Sequence, residues 1–138
     1  MYKIYNPGEN EVRALDGVSL TIDRGELVAI IGQSGSGKST LMNMLGLLDE
    51  PTSGTYFLDG KDTKDLTDDE MSEIRNKQIG FIFQGFNLIS SLTAQENVEL
   101  PLVYRGMRAD ERHKLSQEAL ERVGLENRKK HLPTELSG

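Results

Sequence analysis

The chain has no cysteine, so no disulfide can brace it and its fold must rest on packing and hydrogen bonds. No apolar stretch approaches the roughly 20 residues that a helix needs to cross a bilayer, which excludes a transmembrane helix within these 138 residues. The opening residues Met1-Tyr2-Lys3-Ile4-Tyr5-Asn6-Pro7 lack the apolar core of about seven or more residues that marks a secretory leader, so a cytosolic protein is expected. Basic residues are too few for a broad nucleic-acid surface: 16 Lys and Arg stand against 22 Asp and Glu, a net charge of −6, and no nucleic acid is expected as a partner. The acid-rich residues 62–73 lack the fixed oxygen spacing and glycine turn of a metal cage and read as a solvated face. No internal repeat or low-complexity tract is present. The length and the 28% charged and 36% hydrophobic content fit one soluble domain.

What is present is glycine in a pattern. Residues Gly32-Gln33-Ser34-Gly35-Ser36-Gly37-Lys38-Ser39-Thr40 satisfy G-x-x-x-x-G-K-[ST] and directly follow the apolar run Leu27-Val28-Ala29-Ile30-Ile31. A strand that hands a glycine loop to a helix can wrap successive backbone N–H groups around phosphate oxygens. Glycine tolerates both the positive φ and the close backbone approach this needs. Side-chain bulk at Gly35 or Gly37 is expected to block the phosphates. Lys38 supplies a mobile ammonium for the β and γ phosphates, and the Ser39 hydroxyl is a hard oxygen ligand for Mg²⁺. Residues 40–48 are expected to be helical, with the free N–H groups of the helix start aimed at the anion. A nucleoside triphosphate with Mg²⁺ is the implied ligand; the alternative is a Gly/Ser surface turn that happens to contain a lysine.

Around this loop the first half is β-rich. Val18-Ser19-Leu20-Thr21-Ile22 alternates with period two and leads through a turn into the loop strand. Thr55-Tyr56-Phe57-Leu58 closed by Asp59-Gly60 predicts a hairpin, and so an antiparallel accessory sheet. Residues 67–77 predict a helix with Thr67 capping and Glu70 completing a capping box. Ile79-Gly80-Phe81-Ile82-Phe83 reads as a strand buried mid-sheet. Helices dominate after Gln84: Thr93 and Glu96 form a second capping box, Pro101 is expected to interrupt the helix that this box opens, and residues 109–123 carry a one-sided apolar stripe stopped by Gly124. His113 and His131 lie in polar surroundings and read as solvated.

Several separated segments carry a resemblance. Ala14-Leu15-Asp16-Gly17-Val18-Ser19-Leu20, Leu47-Leu48-Asp49-Glu50-Pro51-Thr52-Ser53-Gly54, Gly80-Phe81-Ile82-Phe83-Gln84-Gly85-Phe86-Asn87-Leu88, Glu96-Asn97-Val98-Glu99-Leu100-Pro101-Leu102 and the closing Leu136-Ser137-Gly138 are similar to the nucleotide-binding domain of ABC transporters, nearest the macrolide-export and lipoprotein-release type. The resemblance implies an α/β P-loop NTPase fold with a mainly parallel core sheet, an antiparallel β subdomain and the start of a helical subdomain. It divides the chain into residues 1–85, the phosphate-loop core with the antiparallel β part, and residues 86–138, the Q-loop and helical part up to the signature.

By the same resemblance Gln84 sits in the Q-loop, within reach of Mg²⁺ or the attacking water, while the loop region meets a transmembrane permease; a turn hydrogen bond is its plain structural alternative. Gly85 departs from the glutamine common at that place. Tyr5, with Tyr2 as a nearby competitor, falls where an aromatic ring stacks on adenine. Ser137 and Gly138 open the Leu-Ser-Gly-Gly-Gln signature and would touch the γ-phosphate held by the partner's Lys38 in a homo- or pseudo-dimer. The acidic strand ending in a general base and the switch histidine that hydrolysis requires in this family have no positions before Gly138. The resemblance therefore implies ATP binding by these residues and turnover only in a longer parent, at the cytoplasmic face of a membrane. Uncovered sheet faces would favour self-association. An ABC ATPase outside transport, as in cell division, repair or translation, and an inert interaction fragment are the other readings. The compact 53 residues 85–137 disfavour a repair protein, and the absence of an Asn-Lys-x-Asp motif disfavours a GTPase.

Overall fold

A computed structural model describes residues 1–8, 10–85 and 87–136. They form two compact units, Met1–Ile79 and Gly80–Gly138.

In the first unit, β1 (Lys3–Tyr5) pairs antiparallel with β2 (Val12–Leu15). The register slips between Lys3 and Ile4, which pair with Leu15 and Arg13 and so leave Ala14 as the extra residue of a bulge. The chain start is knitted in on its other side: Tyr2 and Ser53 form an isolated bridge, and the Met1 ammonium donates to the Val18 carbonyl at 2.8 Å. Helix α1 (Lys38–Leu45) lies on this hairpin, and Leu15, Leu41 and Met44 form a small core against which Val18 and Ile30 pack. Met44 is 1% exposed, and shortening it to alanine should cost about 2–5 kcal/mol.

The accessory hairpin forms as its turn dipeptide demands. Strands β3 (Phe57–Leu58) and β4 (Lys61–Asp62) flank Asp59 and Gly60, whose φ angles of 50° and 81° give the left-handed pair of a two-residue hairpin. Helix α2 (Asp68–Lys77) opens on the expected capping box, with Thr67 accepting from the Glu70 N–H and Glu70 accepting from the Thr67 N–H. Arg75 reaches from α2 to the Leu47 carbonyl at 2.7 Å, just past the end of α1.

The second unit is helical. Helix α3 (Ala94–Tyr104) begins on the Thr93 and Glu96 capping box and, contrary to expectation, runs through Pro101. Proline removes one ladder bond, but the turn beyond it closes through the Arg105 N–H to the Pro101 carbonyl at 3.2 Å and the Gly106 N–H to Val103 at 2.9 Å. Helix α4 (Ala109–Arg122) ends at Gly124, at φ 72°. The Gly124 N–H bonds Glu121 and the Leu125 N–H bonds Leu120, the paired bonds of a Schellman stop. Beyond it lies a single helical turn, α5 (Pro133–Leu136).

Residues 18–22, expected as a strand, and residues 27–31 and 79–83, expected in the core sheet, carry no ladder pairing. Among the described residues, ladder pairing is confined to the two antiparallel hairpins and the Tyr2–Ser53 bridge. A mid-sheet strand draws its hydrogen bonds from neighbours on both edges, and no described residues supply them. The outcome is visible in the side chains: Leu27 is 101%, Ile31 90% and Ile82 97% exposed.

Candidate functional site

The phosphate-loop residues form a backbone nest at the head of a helix. Gly35 and Gly37 both adopt left-handed φ, 80° and 85°, and α1 starts at Lys38, two residues earlier than the sequence suggested. The first α1 bond runs from the Leu41 N–H to the Gly37 carbonyl at 2.9 Å, so the N–H groups of Lys38, Ser39 and Thr40 precede the ladder at the positive end of the helix. Gly32, Gln33, Ser34 and Ser36 complete the loop, with the Ser36 N–H closing a turn onto the Gln33 carbonyl at 3.3 Å. The Lys38 ammonium folds back across it, 2.8 Å from the Gly32 carbonyl, 2.6 Å from that of Gln33 and 3.4 Å from the Ser36 hydroxyl. One cation thus spans both ends of the loop and holds it curled.

The two left-handed glycines do different work. A Cβ built on Gly37 would stand 2.2 Å from the Ala14 carbonyl oxygen and 3.3 Å from Leu15 Cδ2, whereas one on Gly35 meets nothing within 4 Å. Bulk at Gly37 therefore collides with β2 of this chain, a clash within the fold separate from the expected block of the phosphates. A cavity of about 360 Å³ elsewhere in this unit is lined by Met44, Leu47, Asp49, Tyr56, Thr63 and Met71 among others, and by none of the loop residues. The loop lies at an open surface, and its form is a matter of backbone conformation.

Tyr5 belongs to the same unit. Its hydroxyl donates to Asp49 Oδ2 at 2.9 Å, and the Lys3 ammonium stands 5.1 Å from the centre of its ring. Lys3 in turn bonds Asp49 Oδ1 at 2.6 Å and the Glu50 carbonyl at 2.7 Å. Burial, then the bond and charge of Asp49, raise the Tyr5 phenol above its ordinary value. Burial would also raise Asp49, but the Lys3 ammonium, the Glu50 N–H and the Tyr5 hydroxyl outweigh it and hold the carboxyl below its usual range. Lys3 and Asp49 were not singled out from sequence; 46 residues separate them, and only Asp49 lies in one of the resembling segments.

Gln84 lies in the second unit, exposed just past Phe83, whose ring stacks on Phe81 with centroids 4.4 Å apart. Ser137 and Gly138 lie outside the described residues. The histidines divide. His131 lies outside the helices, and its carbonyl accepts from the Ala94 N–H at the start of α3. His113 is solvated, as expected, but its Nδ1 also lies 2.5 Å from Glu99 Oε1. Glu99 is 5% exposed and is held between α3 and α4 by Ser116 at 3.0 Å and Arg112 at 3.4 Å. Burial raises its carboxyl, yet bonds from His113, Ser116 and Gln95 outweigh this and keep it below the ordinary value.

The chain is similar to known proteins over nearly its whole length. The chain is 52% identical over 136 residues to the macrolide export ATP-binding/permease protein MacB of Mannheimia succiniciproducens, covering 99% of this chain and 21% of that protein. It is 50% identical to an uncharacterized ABC transporter ATP-binding protein, YknY of Bacillus subtilis, covering 99% of this chain and 59% of the relative. The chain thus spans about a fifth of the one and about three fifths of the other. Among solved structures it is similar to the ATP-binding cassette MJ0796 in a dimeric post-hydrolysis state bound to ADP and Pi, with a TM-score of 0.90 at 48% identity over 99% of this chain and 60% of that one. A backbone path this close shows the P-loop NTPase fold even where strand ladders are missing. The sequence profile described as ABC transporter matches residues 15–138, and the chain belongs to the ABC transporter family.

Proposed function

We propose that these residues form the nucleotide-binding part of a transporter's ATP-driven engine. The observation that carries this reading is the nest at the head of α1: two left-handed glycines, the helix N-terminus and the Lys38 ammonium converge where a triphosphate tail would lie. In this reading the N–H groups of residues 35–40 hold the phosphates, and Lys38 exchanges its loop carbonyls for the β and γ oxygens. Ser39, exposed in the first turn of α1, fits Mg²⁺ as a hard oxygen donor at the same end as those N–H groups. The metal would neutralise charge on the phosphate oxygens. Tyr5 offers its ring to the base. Gln84 addresses the metal or the attacking water, and its loop region meets a permease.

In this reading residues 32–40 grip ATP; the chain spans 59% of the YknY relative, and we assign turnover to a cassette of that full length, with Ser137 and Gly138 meeting the nucleotide of a second copy. The dimeric state of MJ0796 supports that pairing, and the names of the MacB relatives and of a pyoverdine export ATP-binding/permease protein, 53% identical over 131 residues, support export or extraction as the work done. No helix among the described residues is long and apolar enough to cross a membrane, so the membrane partner would be a separate domain or subunit. The test is titration of the 138-residue chain with MgATP beside a version extended through the acidic strand, with phosphate release measured on both. Binding by both and release only by the longer form is expected. Release by the short form would overturn the division of labour, and failure of both to bind would overturn the nucleotide reading.

A further inference from the structure

Tyr5 does not sit free on the surface awaiting a base. Its hydroxyl is tied to Asp49 Oδ2 at 2.9 Å, and Asp49 Oδ1 is tied to the Lys3 ammonium at 2.6 Å. That ammonium also bonds the Glu50 carbonyl and lies over the Tyr5 ring at 5.1 Å. Lys3 is largely withdrawn from water, its side chain 13% exposed, whereas Tyr5 keeps 37% of its surface open. The cation therefore covers one side of the ring, and the open surface is left for a flat partner.

Both ends of the clasp are anchored. Lys3 and Tyr5 are the first and last residues of β1, which pairs with β2. Asp49 stands shortly after α1, the helix that carries Lys38 and Ser39, and its Oδ1 also accepts from the Glu50 N–H at 2.8 Å. The clasp thus fixes a ring on the N-terminal hairpin relative to the helix that would hold the phosphates. A freely rotating tyrosine would lose side-chain freedom on stacking; one already held loses less. The ammonium also polarises the ring it covers.

We infer that Lys3 and Asp49 are positioning residues for base recognition, holding Tyr5 so that one face receives the adenine ring of a nucleotide whose phosphates lie at Lys38. The inference rests on the nucleotide-binding reading proposed above.

It is tested on the 138-residue chain by measuring the affinity of MgATP and of magnesium tripolyphosphate, which has no base, for Tyr5→Phe, Asp49→Ala, the double variant and Tyr5→Ala. Tyr5→Phe removes only the hydroxyl and keeps the ring, so folding is preserved even if Asp49→Ala strains its loop. The expected result is a loss of about three- to tenfold in ATP affinity for Tyr5→Phe and for Asp49→Ala. The double variant should be no worse than the weaker single, because both remove the same contact. Tripolyphosphate affinity should stay unchanged in all four. Additive losses, or equal losses for tripolyphosphate, would overturn the positioning role. Loss with Tyr5→Ala but not with Asp49→Ala or Tyr5→Phe would remove the clasp and spare Tyr5 as the base platform. Unchanged ATP affinity with Tyr5→Ala would remove the platform and the clasp together, while retained tripolyphosphate binding would leave the phosphate site standing.

Discussion

Replacing Gly37 by alanine should be far more damaging than replacing Gly35, although both glycines adopt nearly the same left-handed backbone. The shared cost is conformational: an L-residue with a Cβ held at φ of 80° or 85° is disfavoured by about 1–2 kcal/mol. At Gly35 the cost ends there, because the new methyl enters open space. At Gly37 the methyl would stand 2.2 Å from the Ala14 carbonyl oxygen, more than 1 Å inside an ordinary contact of about 3.5 Å. Backbone must shift to relieve it. Ala14 is the bulge residue of β2, next to the core residue Leu15 and opposite β1. Relief therefore disturbs the core, the start of α1 and the strand that carries Tyr5. Overpacking of this kind adds about 1–3 kcal/mol, for a total near 2–5 kcal/mol at Gly37 against about 1–2 at Gly35. Urea unfolding of the two variants, followed by circular dichroism and paired with MgATP titration, measures both consequences. Gly37→Ala should lose stability and binding together, and Gly35→Ala should keep most of its stability. Equal stabilities for the two variants would refute the claim that Gly37 is required by the approach of β2.

Lys38→Met removes the ammonium that bridges the loop carbonyls and is expected to weaken MgATP binding about 10- to 100-fold by titration, as befits loss of charged hydrogen bonds worth about 1.5–3 kcal/mol; unchanged affinity would contradict its role. Glu99 carries a pH dependence: its carboxyl is held below the ordinary 4.5 in the folded chain, so its stabilising effect is complete above the unfolded value and is lost as pH falls through the lower folded one. Hydrogen-exchange protection factors of α3 and α4 amides, with the intrinsic pH dependence of exchange divided out, should be high at neutral pH and fall below about pH 4.5. Glu99→Gln should flatten that acid response and cost about 1–3 kcal/mol at neutral pH; an unaltered pH profile would show that the carboxylate is not the group responsible. Sedimentation of the 138-residue chain should show self-association driven by exposed Leu27 and Ile31, reduced by Leu27→Lys with Ile31→Lys. A stable compact monomer would contradict it.

Local chemistry was legible because its causes are local. The Thr67 and Thr93 boxes, the Asp59-Gly60 turn and the Gly124 stop each depend on residues a few positions apart, and all formed as expected. The phosphate loop was legible for the same reason, since its glycine spacing encodes its backbone angles. Ladder pairing at residues 27–31 and 79–83 was not, because apolar content records a strand's environment and not the presence of its neighbours. The contact of Gly37 with Ala14, the clasp of Lys3, Asp49 and Tyr5, and the Glu99 cluster bring together residues 13 to 46 positions apart, a separation at which periodicity and spacing carry no signal. Pro101 failed as a breaker because one missing bond is a small deficit in an 11-residue helix closed by its own cap.

The central claim is that the backbone from Gly35 to Thr40 grips phosphate through its N–H groups. Backbone amide NMR of the isotopically labelled chain, titrated with magnesium tripolyphosphate and then with MgATP, addresses it most directly. The largest amide shifts should fall on Gly35, Gly37, Lys38, Ser39 and Thr40 with either ligand, and Tyr5 should respond to ATP alone. Shifts that leave residues 35–40 unmoved while ATP binds elsewhere would contradict it.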